Sequence, residues 1–374
     1  MGKKIAVSNL ANHYLRTFHG LDTGLEHVDH PKHLRVACLE DHLPDIHAVL
    51  DLTNEEDARR QWLDALHEAI ASLKEGPADA HLILSLHGSY YRKARAFSLA
   101  DLEAITKEFR PTAVAVLIDD IYDVSATIRQ RDSQDALRLR EIATWRSIEG
   151  MIGDFIARPA GIPCYTVAVK HPVSMATGLL FTDATRVYSA FPITRHRDQP
   201  DNRKAIEDFK SRLRREGYTV FDPSTIDELF LRSQLEAANA EAAAVDLGAV
   251  ARWETAGEPL ICDGRPDPWV GVGREFSRAE LEEATQDIAK QIESRDFRLI
   301  HDADCLVAYR PNWGGRGSRG VTAELHLARG IGRRSFIYSP KDDEPPEESP
   351  FEDHGNVYRH EEELFAALKK LQKD

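Results

Sequence analysis

The sequence predicts an α/β protein built of two three-layer domains with mainly parallel sheets. Short apolar runs bounded by turn residues recur along the chain and alternate with amphipathic stretches of helical period. Runs such as Cys305-Leu306-Val307-Ala308-Tyr309 are continuously apolar, as strands covered on both faces are. The 374 residues exceed the usual size of one core, which gives two domains of similar length, 1–183 and 184–374.

In the first half, strands are expected at Ile5 to Val7, Leu34 to Leu39, Leu82 to Leu86, Ala113 to Ile118 and Tyr165 to Val169. Helical stretches separate them, at Glu55 to Leu73, Leu99 to Phe109 and, in pieces, Tyr122 to Ala157. A strand at the start of the chain, with His87 and Asp119-Asp120 ending later strands, resembles a P-loop nucleotide-kinase core. Such a core needs G-x-x-x-x-G-K-[ST], and Ser8 to Thr17 reads S-N-L-A-N-H-Y-L-R-T, without the glycines or the lysine. The expectation is a degenerate, non-hydrolysing domain that dimerises the protein, senses a nucleotide or covers another site. Seven histidines between His13 and His47 raise the question of a metal. Pro31 breaks helical i, i+4 spacing in His27-Val-Asp-His30-Pro-Lys-His33, and no cysteine joins the cluster, so surface histidines and no metal are expected.

The join between domains is expected at Met175 to Thr185. A strand at Arg186 to Ala190 follows, then a helix with Ile206, Phe209 and Leu213 inward and Gly217 closing it, then a strand at Tyr218 to Phe221. Arg232 to Arg274, with Trp253 and Trp269, reads as an insertion in the second domain that forms a lid. The next helix opens with a capping box, Ser277 and Glu280, and carries Leu281, Ala284, Ile288 and Ile292 at helical spacing, which places Asp296 just past its end. After the strand at Cys305 to Tyr309, the glycine-rich loop Asn312 to Gly320 leaves the carboxyl end of the sheet, where ligands of such folds collect. A helix starting near Gly320 offers unpaired N–H groups to an anion, with Ser318 alongside. Glu324, about one turn in, is expected to stay ionised at the positive end of the helix dipole. This order brings Asp296, Ser318 and Glu324 within reach of one small polar ligand. Lys341 to Pro350 reads as a solvated loop.

The stretch R-D-F-R-L-I-H-D-A-D (Arg295 to Asp304) followed by S-R-G-V-T-A-E-L-H-L-A (Ser318 to Ala328) resembles the nucleoside 2-deoxyribosyltransferase superfamily, and within it the 2′-deoxynucleoside 5′-phosphate N-hydrolases. Arg186 to Thr194, R-V-Y-S-A-F-P-I-T, resembles the same superfamily's opening strand and substrate loop, except that Phe191 stands where a glycine is usual. The resemblance covers Arg186 to about Leu371 and implies a nucleoside-deoxyribosyltransferase-like, Rossmann-like second domain. It implies that Glu324 is nucleophile or oxocarbenium stabiliser, Asp296 the acid for the departing base and Tyr188 an orienting hydroxyl. Ser318, Gly317 and Gly320, with Ile193, Thr194 and Arg195 of the upstream loop, would bind the substrate. A serine at 318, where the transferases have aspartate, points to a nucleotide substrate. Phe297, Tyr309 and Trp313 are candidates for an apolar wall around Asp296.

The implied activity is hydrolysis of the N-glycosidic bond of a (deoxy)nucleoside 5′-monophosphate. The alternatives are a deoxyribosyltransferase and a non-catalytic nucleotide sensor or defence effector. No cofactor is called for. A net charge of −14, from 48 basic and 62 acidic residues, disfavours a nucleic-acid polymer as partner. Four scattered cysteines, Cys38, Cys164, Cys262 and Cys305, and the absence of a long apolar run predict a cytoplasmic protein with no membrane partner. The resemblance implies a homo-oligomer, a dimer.

Overall fold

The computed structural model describes residues 2–9, 34–43, 49, 54–92, 95–131, 137–169, 171, 173–193, 199–226, 228–239, 242–247, 275–311, 318–340 and 356–371. The architecture is α/β, with two five-stranded, all-parallel sheets flanked by helices. Among the described residues no helix is long and apolar enough to cross a membrane. The Ser8 to Thr17 loop from its third residue on, His13 to His33 and His47, Cys262, Trp253, Trp269, the Lys341 to Pro350 loop and the substrate-loop residues Thr194 and Arg195 lie outside the described residues.

The first unit opens with β1 (Lys4–Asn9) and β2 (Leu34–Cys38), then α1 (Glu55–Lys74), β3 (His81–Leu86) and a hairpin of β4 (Tyr90–Arg92) and β5 (Arg95–Phe97). The helix α1 begins at Asn54, whose side chain accepts the Glu56 N–H, and it buries Trp62, Leu66, Ala69, Ile70 and Leu73. A single turn, α2 (Leu102–Ala104), continues as a π-type turn to Phe109. β6 (Ala113–Ile118), α3 (Ile121–Arg131), α4 (Leu139–Ala160) and β7 (Cys164–Ala168) follow. The strand order is β2-β3-β1-β6-β7, and the five predicted strands all belong to it. The hairpin was not legible, since strands of three residues carry no period.

The second unit comprises α5 (Val173–Phe181), β8 (Arg186–Ala190), α6 (Pro200–Arg215) and β9 (Thr219–Phe221). After an excursion through α7 (Leu229–Ala237), the antiparallel pair β10 (Ala244–Asp246) and β11 (Glu275–Ser277), and α8 (Arg278–Asp302), it resumes with β12 (Cys305–Tyr309), α9 (Arg319–Gly330), β13 (Arg334–Tyr338), β14 (Asn356–Tyr358) and α10 (Glu361–Leu371). Its strand order is β14-β13-β12-β8-β9. Period-2 alternation sends Val187, Val220, Val307 and Phe336 to one face, where they pack on Ile206, Phe209 and Leu213 of α6 and Leu364, Phe365 and Leu368 of α10. Tyr188, Leu306 and Ala308 face the other way, and the Tyr188 hydroxyl meets α9 there.

By its internal contacts the chain divides into two units: the first holds the described residues of 1–169, 226–247 and 275–289, and the second those of 171–225 and 290–371. The described part of the supposed insertion therefore belongs with the first unit, and a buried ion pair is the reason. Arg146 donates from Nη1 and Nη2 to Glu228 Oε1 (2.5 Å) and Oε2 (3.0 Å), and Glu228 also accepts the Ile121 N–H. Glu280, at the head of α8, likewise accepts from the Leu139 N–H and from Arg129. The Met175 to Thr185 stretch is no linker either, because residues up to Phe181 form α5 against β9. A Cβ added at Gly178 would lie 2.5 Å from Thr219 Oγ1. Gly178→Val should therefore destabilise the protein by about 1–3 kcal/mol, measured by urea denaturation.

Candidate active site

In the second sheet the chain leaves β8 toward β9 on one side, and leaves β12 toward β13 on the other. The connections after these adjacent strands therefore diverge at their carboxyl ends, the arrangement beside which doubly wound folds bind ligands. Tyr188 is the third residue of β8 and is fully buried. Its hydroxyl donates to Glu324 Oε1 at 2.9 Å. Glu324 Oε2 is cut off from solvent and has no hydrogen-bond partner.

Asp296 does not follow the end of a helix, as the sequence suggested. It lies inside α8, which runs on to Asp302. Six residues of helix, about 9 Å, separate it from that end, so the antiparallel run of helix and strand carries it from the sheet's amino edge toward its middle. The Arg295 guanidinium donates from Nε (3.0 Å) and Nη2 (2.8 Å) to the same oxygen, Asp296 Oδ1. Among the described residues no protein donor reaches Oδ2. Each carboxylate thus has one oxygen held by a donor and one that no protein donor among the described residues reaches.

The electrostatics follow from this enclosure. Burial, reinforced by the charge of Asp296, pushes the Glu324 carboxyl up to about 8, against the Tyr188 hydrogen bond and the Arg295 charge. Burial also raises Asp296, with Arg295 opposing. Tyr188 is held well above the ordinary tyrosine range by burial and by both carboxylates. The expectation that the helix dipole keeps Glu324 ionised is overturned. Glu324 is the sixth residue of α9, beyond the first turn where the dipole acts, and desolvation wins. Tyr188→Phe should raise the Glu324 carboxyl further, because it removes a hydrogen bond that favours the anion. An infrared titration of the protonated carboxyl band checks this, and an unmoved band would discount the contact.

Ser318 caps α9: its hydroxyl accepts the Val321 N–H at 3.5 Å, and its carbonyl accepts the Thr322 N–H. The first N–H groups of a helix have no intrahelical acceptor, so those of Arg319 and Gly320 are the donors an anion would take. A Cβ at Gly320 would meet only Ser318 Oγ, at 3.7 Å, so internal packing does not impose a glycine there. Gly317 and Trp313 lie outside the described residues. Ile193 is half-buried and packs on the aromatic core of the α6 face. Tyr309 faces that core too, stacked on Phe209 and Tyr338, so it is no wall for Asp296. Phe297 is half-buried. Phe191 also points into the α6 face, 3% exposed, with its ring 5.0 Å from Lys210 Nζ. It is two residues on from Ser189, in phase with it and opposite to Tyr188.

Sequence reasoning missed a buried network beside this site. Asp222, directly after β9, takes Lys210 Nζ on Oδ2 (2.6 Å) and the Ser224 N–H and hydroxyl on Oδ1, and gives its own N–H to His171 Nε2 (3.0 Å). Lys210 lies one turn after Ile206 and one before Leu213, and a lysine on that apolar stripe was the available signal. In the first unit, Asp119, Asp120 and Asp123 at the carboxyl end of β6 have ligand oxygens within 4.8 Å of one another, a set able to hold a hard cation. No protein-family model matches the chain, and no curated protein matches it in sequence.

Proposed function

We propose that the chain hydrolyses the N-glycosidic bond of a nucleoside 5′-monophosphate, releasing a free base and a sugar 5-phosphate. The observation that supports this reading is the pair of carboxylates, Asp296 and Glu324, each with one oxygen anchored by a hydrogen bond and the other without a protein donor among the described residues. Two carboxyl groups whose charges interact cannot both ionise freely, and Glu324 is pushed up to about 8. At neutral pH Glu324 therefore holds a proton, the stock an N-glycosidase needs.

In the reaction that proton passes through Asp296 to a ring nitrogen of the base as the bond to C1′ breaks. Positive charge grows at the sugar, and its development favours the ionised form of Glu324, which stabilises it or attacks C1′. Water then supplies hydroxide to C1′ and returns a proton to the pair. Tyr188 holds Glu324 Oε1 and leaves Oε2 without a protein donor. Ser318 and the first N–H groups of α9 receive the 5′-phosphate, in line with the motif resemblance. The chemistry calls for no metal or organic cofactor. The test is a panel of ribo- and deoxyribonucleoside 5′-monophosphates followed by chromatography for free base. Release from at least one supports hydrolysis, exchange of labelled base into a second nucleotide indicates a transferase, and no release from any overturns both.

A further inference from the structure

We infer that Arg295 is the positioning residue of this site: its guanidinium clamps Asp296 by one oxygen and is itself fixed to the main chain at Pro223, so that only Oδ2 is offered to the ligand. The inference rests on the N-glycosidase reading for its catalytic consequence and on geometry alone for the clamp. Nε and Nη2 both bond Oδ1, while Nη2 also reaches the Pro223 carbonyl at 3.3 Å. An arginine beside its own neighbour on a helix has many other rotamers, and the third contact selects this one.

The acceptor that selects it is rigid. Pro223 opens the turn between Asp222 and Thr225, and that turn is tied down from every side. Asp222 is held by Lys210, by Ser224 and through its N–H by His171, and the Thr225 hydroxyl donates back to the Asp222 carbonyl at 2.8 Å. A continuous chain of contacts thus runs from the buried lysine of α6 to the carboxylate of α8. The charge serves a second purpose. Arg295 opposes the burial that raises both Asp296 and Glu324, so it limits how many protons the pair keeps. The titratable groups that share its electrostatic field are Asp296, Glu324 and Tyr188.

Arg295→Gln and Arg295→Lys separate position from charge, with Arg298→Gln on the same helix as control, since Arg298 reaches Asp302 instead. Base release by Arg295→Gln should fall about 100-fold in kcat with KM changed less than about threefold, because misplacing a catalytic group acts on the chemical step. Arg295→Lys keeps the charge but loses the fork, and should recover part of kcat. Independently of activity, an infrared pH titration of the protonated carboxyl bands, assigned with Glu324→Gln and Asp296→Asn, should show both groups holding their protons about one pH unit higher in Arg295→Gln. In Arg295→Lys they should move less. If unsubstituted protein releases no base, the function fails while the infrared titration still decides the clamp. Bands in Arg295→Gln that titrate as in the unsubstituted protein, or a kcat deficit equalled by Arg298→Gln, overturn it. Should Arg295→Gln not fold, Arg295→Lys carries the same decision: a loss of kcat with only a small band shift supports the clamp, and an unchanged kcat overturns it.

Discussion

Glu324→Gln is expected to lower base release by about 1,000-fold or more and to leave the protein at least as stable as before at pH 8. The first part follows from charge: glutamine copies the shape but cannot become the anion that faces C1′, and groups in this role contribute about 10²–10⁴-fold. The second part follows from linkage. Glu324 is pushed up to about 8 in the folded chain, from an ordinary 4.5 when exposed. Its folded-state pKa is raised, so its contribution is fully present below the unfolded value and is lost as pH rises from there through about 8. Each unit of separation is worth about 1.4 kcal/mol, which puts the loss on the order of 5 kcal/mol once both states are ionised. A neutral amide has no such loss, although its NH₂ in the unpartnered Oε2 position costs about 1–3 kcal/mol. Urea denaturation at pH 5 and pH 8 should therefore show the variant gaining on the unsubstituted protein as pH rises. A variant that loses stability equally at both pH values would place the carboxyl in water, and an active variant would remove Glu324 from the chemistry.

This trade of stability for an enclosed acid bears on what the sequence disclosed. Elements declared themselves where local chemistry and global fold agree. Ala113 to Ile118 is buried on both faces and reads as a strand in any window, and Asn54, Ser277 and Ser318 mark helix starts with oxygens that accept first-turn N–H groups. The candidate site rests on residue order and the motif resemblance, and its two carboxylates carry a local signal as well. Asp296 lies between Ile292 and Leu299-Ile300, and Glu324 between Val321 and Leu325, so each interrupts an apolar stripe that would otherwise be continuous. The same stripe carries α8 past Asp296 to Asp302, and the charged residue misled the reading of where the helix ends.

What stayed hidden depends on partners far apart in the chain. Nothing local to Glu228 reveals that it meets Arg146, 82 residues away, and that pair decides which unit holds 226–247. Desolvation is equally non-local: the first-turn rule for helix dipoles is a sequence rule, and only packing around Glu324 shows that burial outweighs it. Phe191 is the intermediate case. It departs from the expected glycine, and the period of β8, read strictly, already sends it to the face opposite Tyr188.

Lys210→Met should destabilise the protein by about 3–5 kcal/mol at neutral pH, the range for a buried ion pair stripped of one member. Lys210 is wholly buried, bonded to Asp222 Oδ2 and Ser224 Oγ, and 2.5 Å from Glu207 Oε1. Burial alone would raise the Asp222 carboxyl, yet Lys210 and Arg214 outweigh it and hold the group well below the ordinary carboxylate range. A depressed folded-state pKa means that Asp222 stabilises the fold above its unfolded value, and that this contribution is lost as pH falls through the folded one. Glu207 moves the other way, pushed up by burial despite Lys210. Methionine fills much of the lysine stem's volume but leaves Arg214, whose Nη2 is 3.6 Å from Asp222 Oδ2, as the cation that still offsets the two carboxylates. Protonation then becomes their cheapest escape, so the deficit of Lys210→Met should shrink as pH falls from 7 to 4.5. Asp222→Asn in the same background should recover part of it, because the partner is then neutral. Denaturation of the single and double variants at the two pH values measures both effects. Because the turn at Pro223 hangs on this pair, Lys210→Met should also loosen Arg295, so its remaining folded fraction should release base more slowly than its stability alone explains. Equal specific activity per folded molecule would cut the link between the buried lysine and the clamp.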